Sequence, residues 1–288
     1  MSDLSEDDGW NGSRITKRKS ESIDEFISRV LPSRTSSDVA PWIQIHDKNW
    51  TEDSACEHFD QFLDEVENIK KDIAEQIEKR ENQTLKAIGS LARARILSTA
   101  ANRMVLSGKW LLFPDTPDAI DGAWKIIAKE TYAGTLGSSS KILTRNMSNN
   151  DKYQPQVICV YTKDFRDIQD VARVCKRLVE LGCGSYVGCG DKRTVCAISY
   201  KPCAFTYADI NTGNALRIKP TIYRRDDDFE ALMSLGGIIE KDIREGSVVR
   251  KCTRSVRKRK VDTSSSAFKS KIHEKRQEIT VDNDDDWW

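Results

Sequence analysis

Apolar residues recur along this chain in two rhythms, and each change of rhythm marks the border of an element. Phe59, Phe62, Leu63, Val66, Ile69, Ile73 and Ile77 follow one another at three- and four-residue steps. That spacing lays one apolar stripe along a helix. Ser54 and Glu57 stand where a capping box would open it. A second helical stretch, at about 84 to 104, carries Leu85, Ile88, Leu91, Ile96 and Leu97. Arg93, Arg95 and Arg103 fall on its other faces and are expected to be solvated.

From Lys109 the period shortens. "KWLLF" reads as a strand, stopped by Pro114 and Pro117. "DAIDGAWKIIAKETYAG" reads as a helix with Ile120, Trp124, Ile127 and Ala128 on one side, ended by Gly134 or Gly137. "KILT" and "QVICVYT" are strands around the polar loop "RNMSNNDKYQP". The helix "DFRDIQDVARVCKRLVELG" follows, with Ile168, Val171, Val174, Cys175, Leu178 and Val179 inward and Gly182 closing it. "SYVGC", "TVCAISY", "FTYADI" and "LRIKPTIY" are further strand-like pieces. A last helix at about 228 to 243 carries Leu232, Met233, Leu235, Ile239 and Ile243. Upstream, Trp42, Ile43 and Ile45 make a short strand after Pro41. This order predicts an α+β fold, a mainly antiparallel curved sheet with helices on one face.

Composition trims that outline. A hydrophobic content of 38% is lean for 288 residues, so part of the chain is expected outside the core. The expected organisation is a disordered tail at 1–37, a strand and long helical segment at 38–103, an α+β core at 104–245, and a basic then acidic tail at 246–288. Within the first tail, "RITKRKSES" is a basic cluster offering Ser20 and Ser22 as candidate phosphate acceptors. Lys and Arg number 46 against 45 Asp and Glu, a formal charge of +1, so total charge selects no partner. No basic-then-apolar leader opens the sequence, and no apolar run reaches the roughly 18 to 20 residues that cross a bilayer. A soluble protein of the nucleus and cytoplasm, without a membrane partner, is expected.

Candidate chemistry is sparse. Cysteines stand at 56, 159, 175, 183, 189, 196, 203 and 252 with no C-x-x-C pair, as expected of small buried hydrophobes in a reducing compartment. The three histidines are His46, His58 and His273. A Ser-His-Asp or Cys-His mechanism in the core would lack its base, and a zinc site half its usual ligands. No catalytic residue, metal or cofactor is expected. The glycines of "GCGSYVGCGDKR" fit neither G-x-G-x-x-G nor the Walker pattern, and suit a helix C-cap followed by a turn or bulged strand. Asp164 and Asp167 stand at a helix start, where carboxylates cap free N–H groups. Arg257, Lys258, Arg259 and Lys260 form a nuclear-import candidate. Asp284, Asp285 and Asp286 precede Trp287 and Trp288, a candidate docking peptide that would steer by charge and insert an indole into a partner protein.

"GKWLLFP", "AWKIIAKETYAGTLG", "VICVYTKDF" and "YKPCAFTYADINTGNALRIKPTIY" resemble the basophilic-leukaemia-expressed protein family, an uncharacterised group. The resemblance runs over roughly 104–225 and implies a fold similar to that of the mRNA cap-binding translation initiation factor 4E. Cap chemistry needs two tryptophans to sandwich a methylated guanine, an acid for the base edge, and basic residues for the phosphates. Trp110 and Trp124 look like that family's structural tryptophans. Where a stacking tryptophan and its glutamate would precede "GKW", this chain reads "STAANRM". One side of the sandwich is therefore missing, unless Trp42 or Trp50 is redirected into it. Arg145 and Lys152 stand where the resemblance places phosphate-binding residues, and Tyr161 where it places a further aromatic. The expectation is RNA or nucleotide-phosphate binding through Arg145, Lys152 and Tyr161, without enzymatic turnover. The alternative is an adaptor acting through its acidic-tryptophan ends and basic tail.

Overall fold

A computed structural model of the chain describes residues 13–51, 58–79, 84–114, 116–145, 156–183, 198–216, 218–224 and 243–245. The chain divides into two compact units. The first takes Met1–Ser54, Leu106–Cys203 and Thr221–Gly236, and the second takes Ala55–Val105, Ala204–Pro220 and Gly237–Trp288.

The first unit is an α+β layer. Its strands are β1 (Arg14–Ile15), β2 (Trp42–His46), β3 (Gly108–Leu112), β4 (Ser139–Leu143), β5 (Ile158–Thr162), β6 (Ile198–Pro202) and β7 (Tyr223–Arg224). They form one seven-stranded sheet in the order β1-β2-β4-β5-β3-β6-β7. The pairings from β2 to β7 are antiparallel, but β1 runs parallel to β2. The sheet is thus mixed, with a parallel pair at one edge that the alternation of residues did not foretell.

That edge also corrects the expected tail at 1–37. Between β1 and β2 lies a helix, α1 (Ile23–Arg29), opened by a full capping box between Ser22 and Glu25. Phe26, Ile27 and Val30 are buried, and α1 packs on α4 (Pro117–Ala133). Ser33 adds a tie, donating to Asp121 of α4 from its backbone N–H at 3.0 Å and from its hydroxyl at 2.6 Å. Burial of three apolar side chains offsets the entropy of ordering a polar segment.

The helix α4 forms as expected. Thr116 accepts from the Ala119 N–H, Pro117 fills the first turn, and Gly134 ends the helix at φ 80°. Helix α5 (Ile168–Glu180) is capped by Asp167. Both helices lie on the same sheet face: the Thr131 hydroxyl of α4 meets Ser140 at 2.7 Å, and the Trp110 indole donates to the Val171 carbonyl of α5 at 3.0 Å. Trp110 is fully buried, with Tyr200 edge-on to it at 5.1 Å. It anchors the core, as does Trp124.

Gly108, directly across from Thr162, is where Tyr200 crosses the strand. The Tyr200 hydroxyl bonds that of Thr162 at 2.6 Å. Burial pushes the Tyr200 phenol well above its ordinary range.

The second unit holds α2 (Phe59–Glu78) and α3 (Leu85–Asn102), which pack on each other, and the short α6, whose bounds Cys203–Tyr207 begin in the first unit. Helix α3 is capped by Thr84. Helix α2 starts at His58 without a side-chain cap, and the proposed box of Ser54 and Glu57 lies outside the described residues. Arg95 is buried, not solvated, and pairs with Asp72 at 2.9 Å. Arg103 likewise reaches Glu65 and Gln61 of α2.

Two expected strands are not strands. "FTYADI" begins in α6 and ends in a turn at Asp209, φ 56°. Most of "LRIKPTIY" is irregular, with only Tyr223 and Arg224 in β7. Pro202 ends β6, and the Ala208 N–H closing on Ala204 at 3.0 Å turns the following aromatics into a helix. "SYVGC" and the helix expected at 228–243 lie outside the described residues, except for a helical turn at 243–245.

Candidate functional site

Side chains alternate across a strand, so the register that puts Trp110 against α5 sends its neighbours to the opposite face. On that face His46, Ser139, Tyr161, Lys109 and Lys201 stand side by side across five strands. The adjacent row is Gln44, Lys141, Cys159, Leu111 and Ser199. Lysines therefore occupy three interior strand positions. Their relative exposures are 2% for Lys109, 2% for Lys201 and 6% for Lys141.

Two lysines lie against aromatic rings. The Lys141 ammonium sits 3.8 Å from the ring centre of Trp42, and that of Lys109 is 5.8 Å from Tyr161. Both are within cation–π range. Arg14 reaches the same face from β1, donating to the Gln44 side chain at 2.8 Å. None of the described strand residues is an aspartate or glutamate.

At the β2 end of the row, Trp50 stacks on His46 with ring centres 4.0 Å apart. It is 42% exposed. Its loop is tied down: Asp47 accepts from the N–H groups of Asn49 and Trp50, and Lys48 donates to the Tyr132 carbonyl at 3.1 Å. Burial, and then the charge of Arg14, push His46 down to about 4. Its imidazole is therefore neutral near pH 7, and its buried Nδ1 makes no hydrogen bond. Gly137 lets the chain pass Tyr161, because a Cβ there would come under 3.0 Å from the Tyr161 carbonyl oxygen.

The residues singled out from the sequence are only partly gathered here. Tyr161 is half-buried at the centre of the row. Arg145 is exposed and sits past the other end of β4, where its backbone bridges Ser36 and bonds Thr35 and Ser37. Ser139 faces Tyr161, and Arg145 lies six residues further on, about 20 Å of extended chain. Lys152, Arg257–Lys260 and Asp284–Trp288 lie outside the described residues. Ser20 is exposed in a turn, and Ser22 is the cap of α1. Asp167 caps α5 and Asp164 holds Arg166, so both are structural.

Cys159, Cys175, Cys183 and Cys203 are buried, and burial pushes the Cys183 thiol up to about 11. Among the described residues no cluster of His, Cys, Asp and Glu could hold a metal ion, and no helix is long and apolar enough to cross a membrane.

The lysine face was missed from the sequence. Its signal was there: "GKW", "SSKIL" and "SYKP" each set one lysine in an otherwise apolar strand. Comparison with known families extends over this face, since the family model described as basophilic leukemia-expressed protein Bles03 matches residues 3–209. With the strands β1 to β6 and their lysines inside that match, this chain belongs to the Bles03 family.

Proposed function

We propose that this protein binds RNA or a nucleotide through the sheet face opposite its helices. The observation that carries the reading is Trp50, 42% exposed with one ring side on His46, at the head of the row that holds the half-buried Tyr161. Two aromatic rings so placed offer stacking to bases. The proposed likeness to the cap-binding fold belongs to the same reading. So do a location in nucleus and cytoplasm and a role in binding without turnover.

The test is titration of a fluorescent single-stranded RNA into the full chain at several salt concentrations. Binding should weaken as salt rises, in proportion to the phosphates neutralised. Tyr161→Ala should weaken it by about tenfold, the size expected for one stacked base. The variants Arg145→Glu and Lys152→Glu should also weaken binding, since both are proposed phosphate contacts. RNA that binds equally well to wild type and to Tyr161→Ala, or not at all, would overturn the reading and favour the adaptor.

A further inference from the structure

The proposed function leaves open how binding at Trp50 is controlled, and the turn that precedes α1 offers a means. We propose that Ser20 is a phosphorylation site for a kinase that reads basic residues before its serine, and that the phosphate weakens RNA or nucleotide binding at the Trp50 surface. The site stands on the geometry of the turn; its effect on binding rests on the RNA or nucleotide reading.

Two serines follow the basic cluster, and the structure separates them. Ser22 is engaged as the cap of α1: its hydroxyl oxygen accepts from the Glu25 N–H at 3.2 Å, and its own backbone N–H donates to the Glu25 carboxylate at 2.7 Å. A phosphate there would break the box and meet a carboxylate of like charge. Ser20 is exposed in the turn, and no hydrogen bond holds its hydroxyl among the described residues. Lys17, Arg18 and Lys19 fill the three positions before it, and Arg18 and Lys19 are exposed. Residues 16–18 lie in neither helix nor strand, so a kinase cleft can take the segment without opening β1 or α1. In the transfer, a bond forms between Ser20 Oγ and the γ-phosphorus of ATP as the bond from that phosphorus to the departing ADP oxygen breaks. The serine proton passes to the catalytic carboxylate of the kinase.

The turn lies at the Trp50 end of the sheet. β1 runs parallel to β2, with Arg14 beside Trp42 and Ile15 beside Ile43, so the chain leaves β1 in the direction of His46. There the Lys17 ammonium sits 5.3 Å from the ring centre of Tyr132, whose carbonyl accepts the Lys48 N–H at 3.1 Å. Trp50 follows two residues later. Phosphoserine carries about −1.5 to −2 near pH 7, enough to cancel much of the charge of Lys17, Arg18 and Lys19. An RNA phosphate approaching Trp50 then meets a weaker attraction.

The full chain and its Ser20→Ala variant are each incubated with ATP and the catalytic subunit of cAMP-dependent protein kinase, and the phosphorylated residues are mapped by mass spectrometry. Phosphate is expected on Ser20 and not on Ser22. The treated wild type should then bind a fluorescent single-stranded RNA about fivefold more weakly than the untreated protein at about 50 mM salt. That difference should shrink as salt rises. Treated Ser20→Ala should keep its affinity, which sets aside phosphate added elsewhere on the chain.

An unmodified Ser20, or phosphate on Ser22 in its place, overturns the site. If Ser20 is phosphorylated and affinity is unchanged, the control of binding is wrong while RNA binding stands. If neither form binds RNA or a nucleotide, the phosphorylation site stands, and the nucleic-acid reading falls together with the effect proposed for it.

Discussion

Tyr200 occupies the space where Gly108 lacks a side chain: a Cβ at position 108 would lie well under 3.0 Å from the phenol ring. The two residues sit on paired strands, and the same phenol closes the 2.6 Å bond to Thr162. A methyl group at 108 must displace the ring and break that bond. Gly108→Ala should therefore cost about 3 kcal/mol, the sum of overpacking and a lost buried hydrogen bond. Denaturant midpoints measure it. Because the hydroxyl is the nearest atom, adding Tyr200→Phe should recover part of the loss, and full additivity of the two changes would refute the steric account.

The N-terminal helix makes a second prediction. Phe26 is fully buried in α1, so Phe26→Ala should destabilise the protein by about 3 to 5 kcal/mol. A dispensable tail would give no change in the thermal midpoint. The capping box offers a finer probe, since Ser22→Ala should cost about 1 kcal/mol.

His46 sets a pH dependence. Its ordinary value of 6.5 is pushed down to about 4 by burial, with Arg14 adding to the effect. Between these values the unfolded chain binds a proton that the folded chain does not, so stability falls as pH drops from about 6.5 to 4. The displacement corresponds to about 3 kcal/mol at 1.36 per pH unit, reduced to about 2 because the ring is partly open to solvent. Comparing His46→Gln with wild type across this window isolates the effect. The variant should lose less stability on acidification, and identical pH profiles would show that His46 titrates normally.

Trp50 separates binding from folding. With 42% of its surface exposed, its replacement by alanine should change stability by less than about 1 kcal/mol. The same variant should weaken single-stranded RNA binding by about tenfold. Unaltered affinity would assign the His46 stack a purely local role.

Much of the first unit was legible from residue order. Trp110 in its strand and α4 with Gly134, one of the two ends offered for it, follow from short-range rules of period and capping, whereas the Thr116 cap was not anticipated. What depends on register was not. Arg145 and Tyr161 are close to strand ends in sequence, yet antiparallel pairing sends them to opposite ends of β4 and β5. The lysines escaped because a polar residue in an apolar strand ordinarily points to solvent, and here Lys109, Lys141 and Lys201 are buried. Averaging over 1–37 hid Phe26, Ile27 and Val30 among charged neighbours. In "FTYADI" aromatic and β-branched residues imitate a strand, but Pro202 had already ended the ladder.

The strand order has a consequence for the timing of synthesis. β2 lies between β1 and β4, and β4 spans Ser139–Leu143. A nascent chain therefore exposes the inner edge of β2 until nearly a hundred further residues have emerged. Only when Ile142 reaches Ile43 does the first translated part of the sheet find its permanent neighbour. Slowing elongation just before residue 139 would lengthen that interval, and this stretch of translation is where a chaperone would matter most to the yield of folded protein.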